Sequence, residues 1–233
     1  MRTAWIAHVE NGFIFSFARP MKLYYLTPAQ YALSALALRR LKVARLAELN
    51  DPFELQAVDA ESLLHVEYFR RVKERINASH GVLCFSKSWN SPVLWGHYAD
   101  KLRGVALGFE VTSPHLVPVI YATKPMKIPT NPDTRLPQLS DDLVDQLQRT
   151  KFADWRYEDE SRVYVKLDHE VRESGLYFYP FDDSIVLKEV VLGPRCELPL
   201  ESIRALLDSG GGEASVIRSK LASDSFQVIG DPG

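Results

Sequence analysis

Apolar residues along the chain fall into two rhythms. Short alternating or continuous apolar runs bounded by turn residues, "KLYYLT", "LKVARL", "GVLCFS", "GVALGFEV", "VPVIYA", "LYFYPF" and "IVLKEVVLG", predict β-strands. Helical spacing predicts the rest. Thr27-Pro28 supplies a hydroxyl cap and a first-turn proline, and Leu33, Leu36 and Ala37 form a stripe that carries a helix to about Arg40. Leu63, Leu64, Val66, Phe69, Val72 and Ile76 mark an amphipathic helix over about 59–78. "PVLWGHYAD" suits a helix of two to three turns, and further helices are expected over 139–150 and 200–208. After Gly210-Gly211-Gly212 we expect another short helix and a last strand near 226–229. Residues 124–138 hold four prolines and little periodicity, the signature of a loop or lid. Strands in the middle and end, with helices mainly early and late, give an α+β fold around a mixed or mostly antiparallel sheet with flanking helices.

Residues 1–20 stand apart. Trp5, Ala7 and Val9 alternate up to Asn11-Gly12, and Phe13, Phe15 and Phe17 alternate after it, so this segment reads either as a hairpin or as an extension upstream of Met21. Residues 21–233 then form a single α+β domain. At 46% hydrophobic residues the chain has enough apolar surface for a packed core, and 28 basic against 30 acidic residues argue against bulk attraction to a polyanion. No apolar run approaches the ~18 residues of a membrane span. Cys84 and Cys196 are too few for a disulfide framework, so a cytoplasmic setting is expected, with both thiols packed as small apolar groups.

The candidate chemistry begins at "WRYEDESRVYV". Read as one strand over 155–165, it places Glu158, Glu160 and Arg162 on one face and Tyr157, Val163, Val165 and Leu167 on the other. The charged face is either a solvated ladder, in which Arg162 screens Glu160 and Arg156 screens Glu158, or the floor of a polar site. "SKSWNSPVLWGHYAD" concentrates Trp89, Trp95, His97 and Tyr98, a wall able to stack on flat rings, although Trp95 and Tyr98 also suit a buried helix face. In "NDPFE", Asn50 and Asp51 turn the chain, Phe53 is expected to plug the core and Glu54 to sit near a helix start. The histidines are scattered and no metal is assigned. A carboxylate magnesium site from Asp51, Glu54, Glu158 and Glu160 is the alternative, and a magnesium-dependent nuclease its consequence. Gly104 and Gly108 mark close backbone approach or a bulge.

In order from about Met21 to Pro194, "NDPFE", "LCFS", "LWGHYADKLRGVALGFE", "WRYEDESR" and "VVLGP" resemble a widespread bacterial family known only as a domain of unknown function and associated with defence systems. More distantly, a first strand ending in an aromatic residue and a hydroxyl, a central strand ending in serine and a later Glu-x-Glu are similar to ADP-ribosyltransferases of the DarT type. That resemblance implies a split sheet clamping NAD as substrate. It makes Glu160 the catalytic glutamate, Glu158 the upstream acid that orients or deprotonates the acceptor, and Arg162 their supporting cation. Tyr25, Thr27 and Ser86 become cofactor-binding residues, with Trp95, His97 and Tyr98 as the wall. Tyrosine stands where such enzymes keep histidine or arginine. The implied function is a defence toxin modifying nucleic acid or protein. A non-catalytic binding or immunity protein using the same groove is the alternative.

Overall fold

The structure, a computed structural model, describes residues 20–60, 62–167, 172–211 and 213–232, so the segment expected to form an N-terminal hairpin lies outside the described residues. Strand β1 (Met21–Thr27) leads into helix α1 (Ala29–Leu38), and Arg39 turns the chain in the left-handed region into β2 (Arg40–Arg45). A short 3-10 turn and an irregular stretch through "NDPFE" precede α2 (Leu63–Ser79), β3 (His80–Ser86), α3 (Pro92–Tyr98) and β4 (Val105–Val111). Expected as one strand, "VPVIYA" divides into β5 (Leu116–Pro118) and β6 (Ile120–Ala122): Val119 still donates to the Glu160 carbonyl in line with β5, whereas Ile120 to Ala122 change partner and pair with residues 150–152. There follow α4 (Asp141–Arg149), β7 (Thr150–Phe152), a 3-10 helix over Ala153–Glu158, β8 (Glu160–Lys166) and β9 (Arg172–Glu173). The chain closes with β10 (Leu176–Pro180), β11 (Ile185–Leu192), α5 (Leu200–Ser209), β12 (Ser215–Leu221) and β13 (Val228–Asp231).

Eleven strands form one sheet in the order β13-β12-β11-β4-β1-β3-β2-β10-β9, with β8 on the far edge of β3 and β5 beyond it. Within it only β11 and β12 run parallel among the described pairs, which makes the fold α+β with a mixed, mostly antiparallel sheet and flanking helices. Strands β1 and β2 meet one edge of β3 at opposite ends, Tyr24 opposite Ser86 and Ala44 opposite Val82. Along its other edge β3 pairs with β8 over its whole length, from His80 opposite Lys166 to Ser86 opposite Glu160.

Alternation sorts the side chains onto two faces. Leu23, Leu83, Phe85, Leu107, Phe109 and Val163 face the main core, which α1 closes with Ala32 and Leu36 and α5 with Ile203 and Leu207. On the opposite face α3 buries Trp95 against Ala106, Val191 and Val228, while α2 brings Phe69 to Val82, Leu46 and Leu55. Gly108 fits the expectation of a bulge: the register between β11 and β4 shifts at Leu187/Glu189, opposite this residue, and Tyr24 packs over it. Gly104 instead permits close approach, since a Cβ there would strike the Thr27 carbonyl.

Three expectations need correction. Helix α1 has Pro28 as its cap and no side-chain capping bond; Thr27 is still part of β1. The second late helix is strand β12, since Val190 to Leu192 of β11 offer a parallel partner and that pairing overrides local preference. At the start of α2, Leu63 and Val66 are exposed, and only His65 and Phe69 are buried along the helix.

Candidate functional site

The "WRYEDESR" segment is not one strand. Residues 153–158 coil as a 3-10 helix, Asp159 takes a left-handed conformation with φ 40°, and β8 starts only at Glu160. Aspartate tolerates that conformation better than most residues, and Lys87 holds its carboxylate at 2.7 Å. Strand alternation therefore does not relate Glu158 to Glu160. Tyr157, expected in the core, instead lies on the 3-10 helix, where its hydroxyl meets His97 Nδ1 at 2.7 Å. Val163, Val165 and Leu167 do face the main core.

The solvated ladder is excluded by burial: Glu158 is 4%, Glu160 5% and Arg162 0% exposed. Arg156 does not screen Glu158; it lies over the Tyr121 ring. Arg162 uses all five of its N–H donors. Its Nη1 and Nη2 grip the Glu54 carboxylate at 2.6 and 2.9 Å, its Nε and Nη2 reach Glu160 at 2.8 and 3.2 Å, and Nη1 also donates to the Gln148 carbonyl at 3.0 Å. Lys151 Nζ, buried beside them, donates to Glu160 Oε2 at 3.0 Å and to Glu158 Oε2. The other Glu158 oxygen accepts from the Tyr98 hydroxyl, which itself accepts from Asn50 Nδ2 at 3.0 Å.

Three carboxylates, Glu54, Glu158 and Glu160, thus share two cations, Lys151 and Arg162, and one negative charge is left in excess. The two glutamates of the motif respond oppositely. Burial alone would raise Glu160, but Arg162 and Lys151 more than offset it and hold its carboxyl at about 2. At Glu158 burial prevails over Lys151 and Tyr98, and the carboxyl lies above its ordinary range. Tyr98 is displaced upward by burial and by Glu158, and Tyr157 is pushed up to about 12 by the same two causes. Cys84 lies opposite Arg162 in the sheet, and burial, then Glu160, drives its thiol well above the ordinary range, as suits a packed rather than a nucleophilic cysteine.

"NDPFE" reverses its expected roles. Phe53 is 57% exposed, whereas Glu54 and Leu55 are fully buried, Leu55 with φ 59°. Arg162 explains the inversion, because its guanidinium needs a carboxylate within the protein and the backbone turns Glu54 inward to provide it. Asp51 fixes the turn: one carboxylate oxygen accepts from Phe53 N at 2.9 Å, the other from Phe152 N at 3.1 Å.

Outside this charged network stands an aromatic wall, though a different one from that expected. Trp95 is no part of it: it is 0% exposed, its indole N–H donates to the Trp89 carbonyl at 2.6 Å, and packing against Ala106 and Val191 leaves no ring face for a ligand. His97 is exposed, with Trp155 and Tyr157 at ring separations of 6.3 and 5.6 Å, and Lys151 Nζ sits 5.0 Å from the Trp155 ring centre, linking wall and network. Beyond Tyr98, three successive residues, Asp100, Lys101 and Leu102, are left-handed with φ 43°, 52° and 73°, a strained return to β4.

The structure brings together Glu158, Glu160, Arg162, Ser86, His97 and Tyr98 of the expected site. Ser86 is the sheet partner of Glu160, although its hydroxyl is spent on the Ser88 carbonyl at 2.8 Å. Tyr25 and Thr27 lie elsewhere. Because Tyr24 is the residue opposite Ser86, Tyr25 falls on the other face, edge-on to Phe85 at 6.2 Å in the main core, and burial pushes its phenol up to about 12. Thr27, of the same parity, is 5% exposed. The magnesium alternative also loses its geometry: Glu54, Glu158 and Glu160 converge, but Lys151 and Arg162 fill the space between them, and Asp51 is committed to backbone N–H groups. Among the described residues no group of three or more His, Cys, Asp or Glu side chains is placed to hold a metal ion.

Sequence reasoning missed Lys151 as the hub, and Asn50 and Trp155 as parts of the site. Lys151 left one usable signal, since motifs rich in buried acids require a cation from somewhere. Set against protein-family models, curated proteins and solved structures, the chain matches none of them. Among the described residues no helix is long and apolar enough to cross a membrane.

Proposed function

We propose that the protein binds NAD and transfers its ADP-ribosyl group to an acceptor, a nucleic acid or a protein, with Glu158 as the working carboxylate. One observation carries this reading: a buried network with one unbalanced negative charge lies directly behind the wall of His97, Trp155 and Tyr157. Nicotinamide in NAD is a flat ring bearing positive charge, so it is attracted both by electron-rich ring faces and by the uncompensated carboxylate. As the bond from nicotinamide to ribose breaks, positive charge develops on the sugar, and a fixed carboxylate stabilises it. Glu160 suits a supporting role. Each of its oxygens already accepts from Arg162, and Lys151 adds a further bond, so it fixes Lys151 and through it Glu158.

The test is incubation of purified protein with NAD and bacterial nucleic acid or lysate. Nicotinamide release and labelled acceptor are expected, and Glu158→Gln should lower both by ~100-fold or more. If the wild type with acceptor present gives neither product, the transferase reading is lost.

The full occupation of Glu160 favours a second reading, a non-catalytic binding protein of a defence system in which the network only shapes the wall. On that reading Glu158→Gln leaves the biological effect intact, while Trp155→Ala abolishes partner capture.

A further inference from the structure

Among the described residues, Tyr98 and Lys151 between them occupy both carboxylate oxygens of Glu158. Glu158 is 4% exposed; one oxygen is held by Lys151, itself buried, and the other by the hydroxyl of Tyr98. Tyr98 is half-buried and in turn bonded to exposed Asn50, so it spans the distance from the network to the surface. A phenol oxygen donates one hydrogen bond and accepts two. Tyr98 donates to Glu158 and accepts from Asn50, which leaves one acceptor position without a partner among the described residues; the Tyr98 and His97 ring centres lie 6.2 Å apart.

We propose that Tyr98 is a catalytic proton relay: it takes the proton of the acceptor's hydroxyl and passes its own to Glu158, with Asn50 holding its ring in place. The substrate half of this proposal rests on the NAD reading; the relay itself does not. In the step, the acceptor oxygen forms a bond to the ribose carbon as the bond from that carbon to the nicotinamide nitrogen breaks. The bonding pair leaves with the ring, which becomes neutral nicotinamide. The acceptor's proton moves to Tyr98 Oη, and the Tyr98 proton moves to Glu158 Oε1, so the carboxylate ends as a carboxylic acid and charge is conserved. The ionisable groups facing Glu158 are Lys151 from β7, Glu160 from β8, Tyr98 from α3, Tyr157 from its own turn and Tyr121 from β6; Arg162 and Glu54 lie one bond further off. Lys151 and Tyr98 ease ionisation of Glu158 while its burial and Glu160 oppose it, which keeps it a stronger base than a solvated glutamate.

Two measurements test this on the full chain. Infrared difference spectra across a pH titration, with Glu158→Gln to assign the band, follow the Glu158 carboxyl without any substrate. In Tyr98→Phe, which keeps the ring and removes only the hydroxyl, the band should move and its titration should shift to higher pH. An unmoved titration in a folded Tyr98→Phe protein overturns the relay whatever NAD does. The second measurement is acceptor labelling with NAD. Tyr98→Phe should lower it by ~100-fold or more with NAD affinity, read from tryptophan fluorescence, little changed; Asn50→Ala should lower it less. A shifted titration with undiminished labelling also overturns the relay. A shifted titration with no turnover in the wild type defeats the NAD reading alone and leaves Tyr98 and Glu158 as an acid–base pair.

Discussion

The two faces of β3 are built on opposite physical principles within one strand of seven residues. Leu83 and Phe85 enter the main core, where burial stabilises roughly in proportion to apolar area and many partners are interchangeable. On the other face Val82 and Cys84 still pack against apolar neighbours, but Cys84 and Ser86 also lie opposite Arg162 and Glu160, whose charged groups each need one particular partner at one particular distance. Desolvating charges costs several kcal/mol per ion, and the attraction between them returns little beyond that cost. Close packing therefore holds the fold, whereas the network is an expense that stability alone does not explain. Its placement behind an aromatic wall is the reason we connect it with chemistry.

The comparison breaks first at Arg162. Arg162→Met leaves Glu54 and Glu160 buried without their cation, and a loss of about 3–5 kcal/mol is expected in denaturant unfolding. Adding Glu54→Leu and Glu160→Leu to Arg162→Met should recover most of it, because the desolvation cost of these three groups is removed and Lys151 and Glu158 remain as a balanced pair. Leu83→Ala on the other face should cost about 2–5 kcal/mol through lost contacts and a residual cavity, with no comparable rescue from changing its neighbours. If the triple variant is no more stable than Arg162→Met alone, the network itself holds the fold.

Acid separates the faces next. Glu160 has its carboxyl at about 2 in the folded protein against 4.5 ordinarily, so its contribution is complete above about 4.5 and disappears as pH falls from there toward 2. The stake is about 3 kcal/mol, from ~1.4 kcal/mol per unit of displacement. Glu158 works the other way: its raised carboxyl gives a contribution present at low pH and lost as pH rises through its folded value. Stability measured from pH 7 downward should therefore fall steeply only below about 4.5, and Glu160→Gln should flatten that limb. An unchanged limb in Glu160→Gln would place the acid sensitivity elsewhere.

Much of this fold was legible because most elements follow a single period. The strands of "GVLCFS" and "GVALGFEV" and the helix of "PVLWGHYAD" stand where the pattern puts them, and Glu160 does meet Ser86. What escaped depended on tertiary demand. Alternation carried through Trp155–Val165 misses the left-handed Asp159, because one residue in a minor conformation resets the faces without disturbing composition. Phe53 and Glu54 exchange places because Arg162 outcompetes the core for that position, and nothing near "NDPFE" announces an arginine 108 residues away. The resemblance puts Tyr25 in the site, yet the pairing of Tyr24 with Ser86 sends it to the other face; the one-residue parity of a strand cannot be read without its partner.

The smallest expected effect is also the sharpest. With Glu54, Glu158 and Glu160 against Lys151 and Arg162, removing one carboxylate balances the count, and Glu158, like Glu54, is one whose carboxyl is held above its ordinary range by burial. In Glu158→Gln the amide oxygen can still accept from Lys151 or from Tyr98 but not from both, so about 1 kcal/mol of hydrogen bonding is lost while the cost of burying the excess charge disappears. The two nearly cancel, and stability should change by less than ~1 kcal/mol, whereas Glu160→Gln, which deprives both cations of a partner, should cost several times that. Paired unfolding curves of the two variants decide it. Equal losses would mean that no charge is in excess behind Trp155, and the attraction proposed for a positively charged ring would go with it.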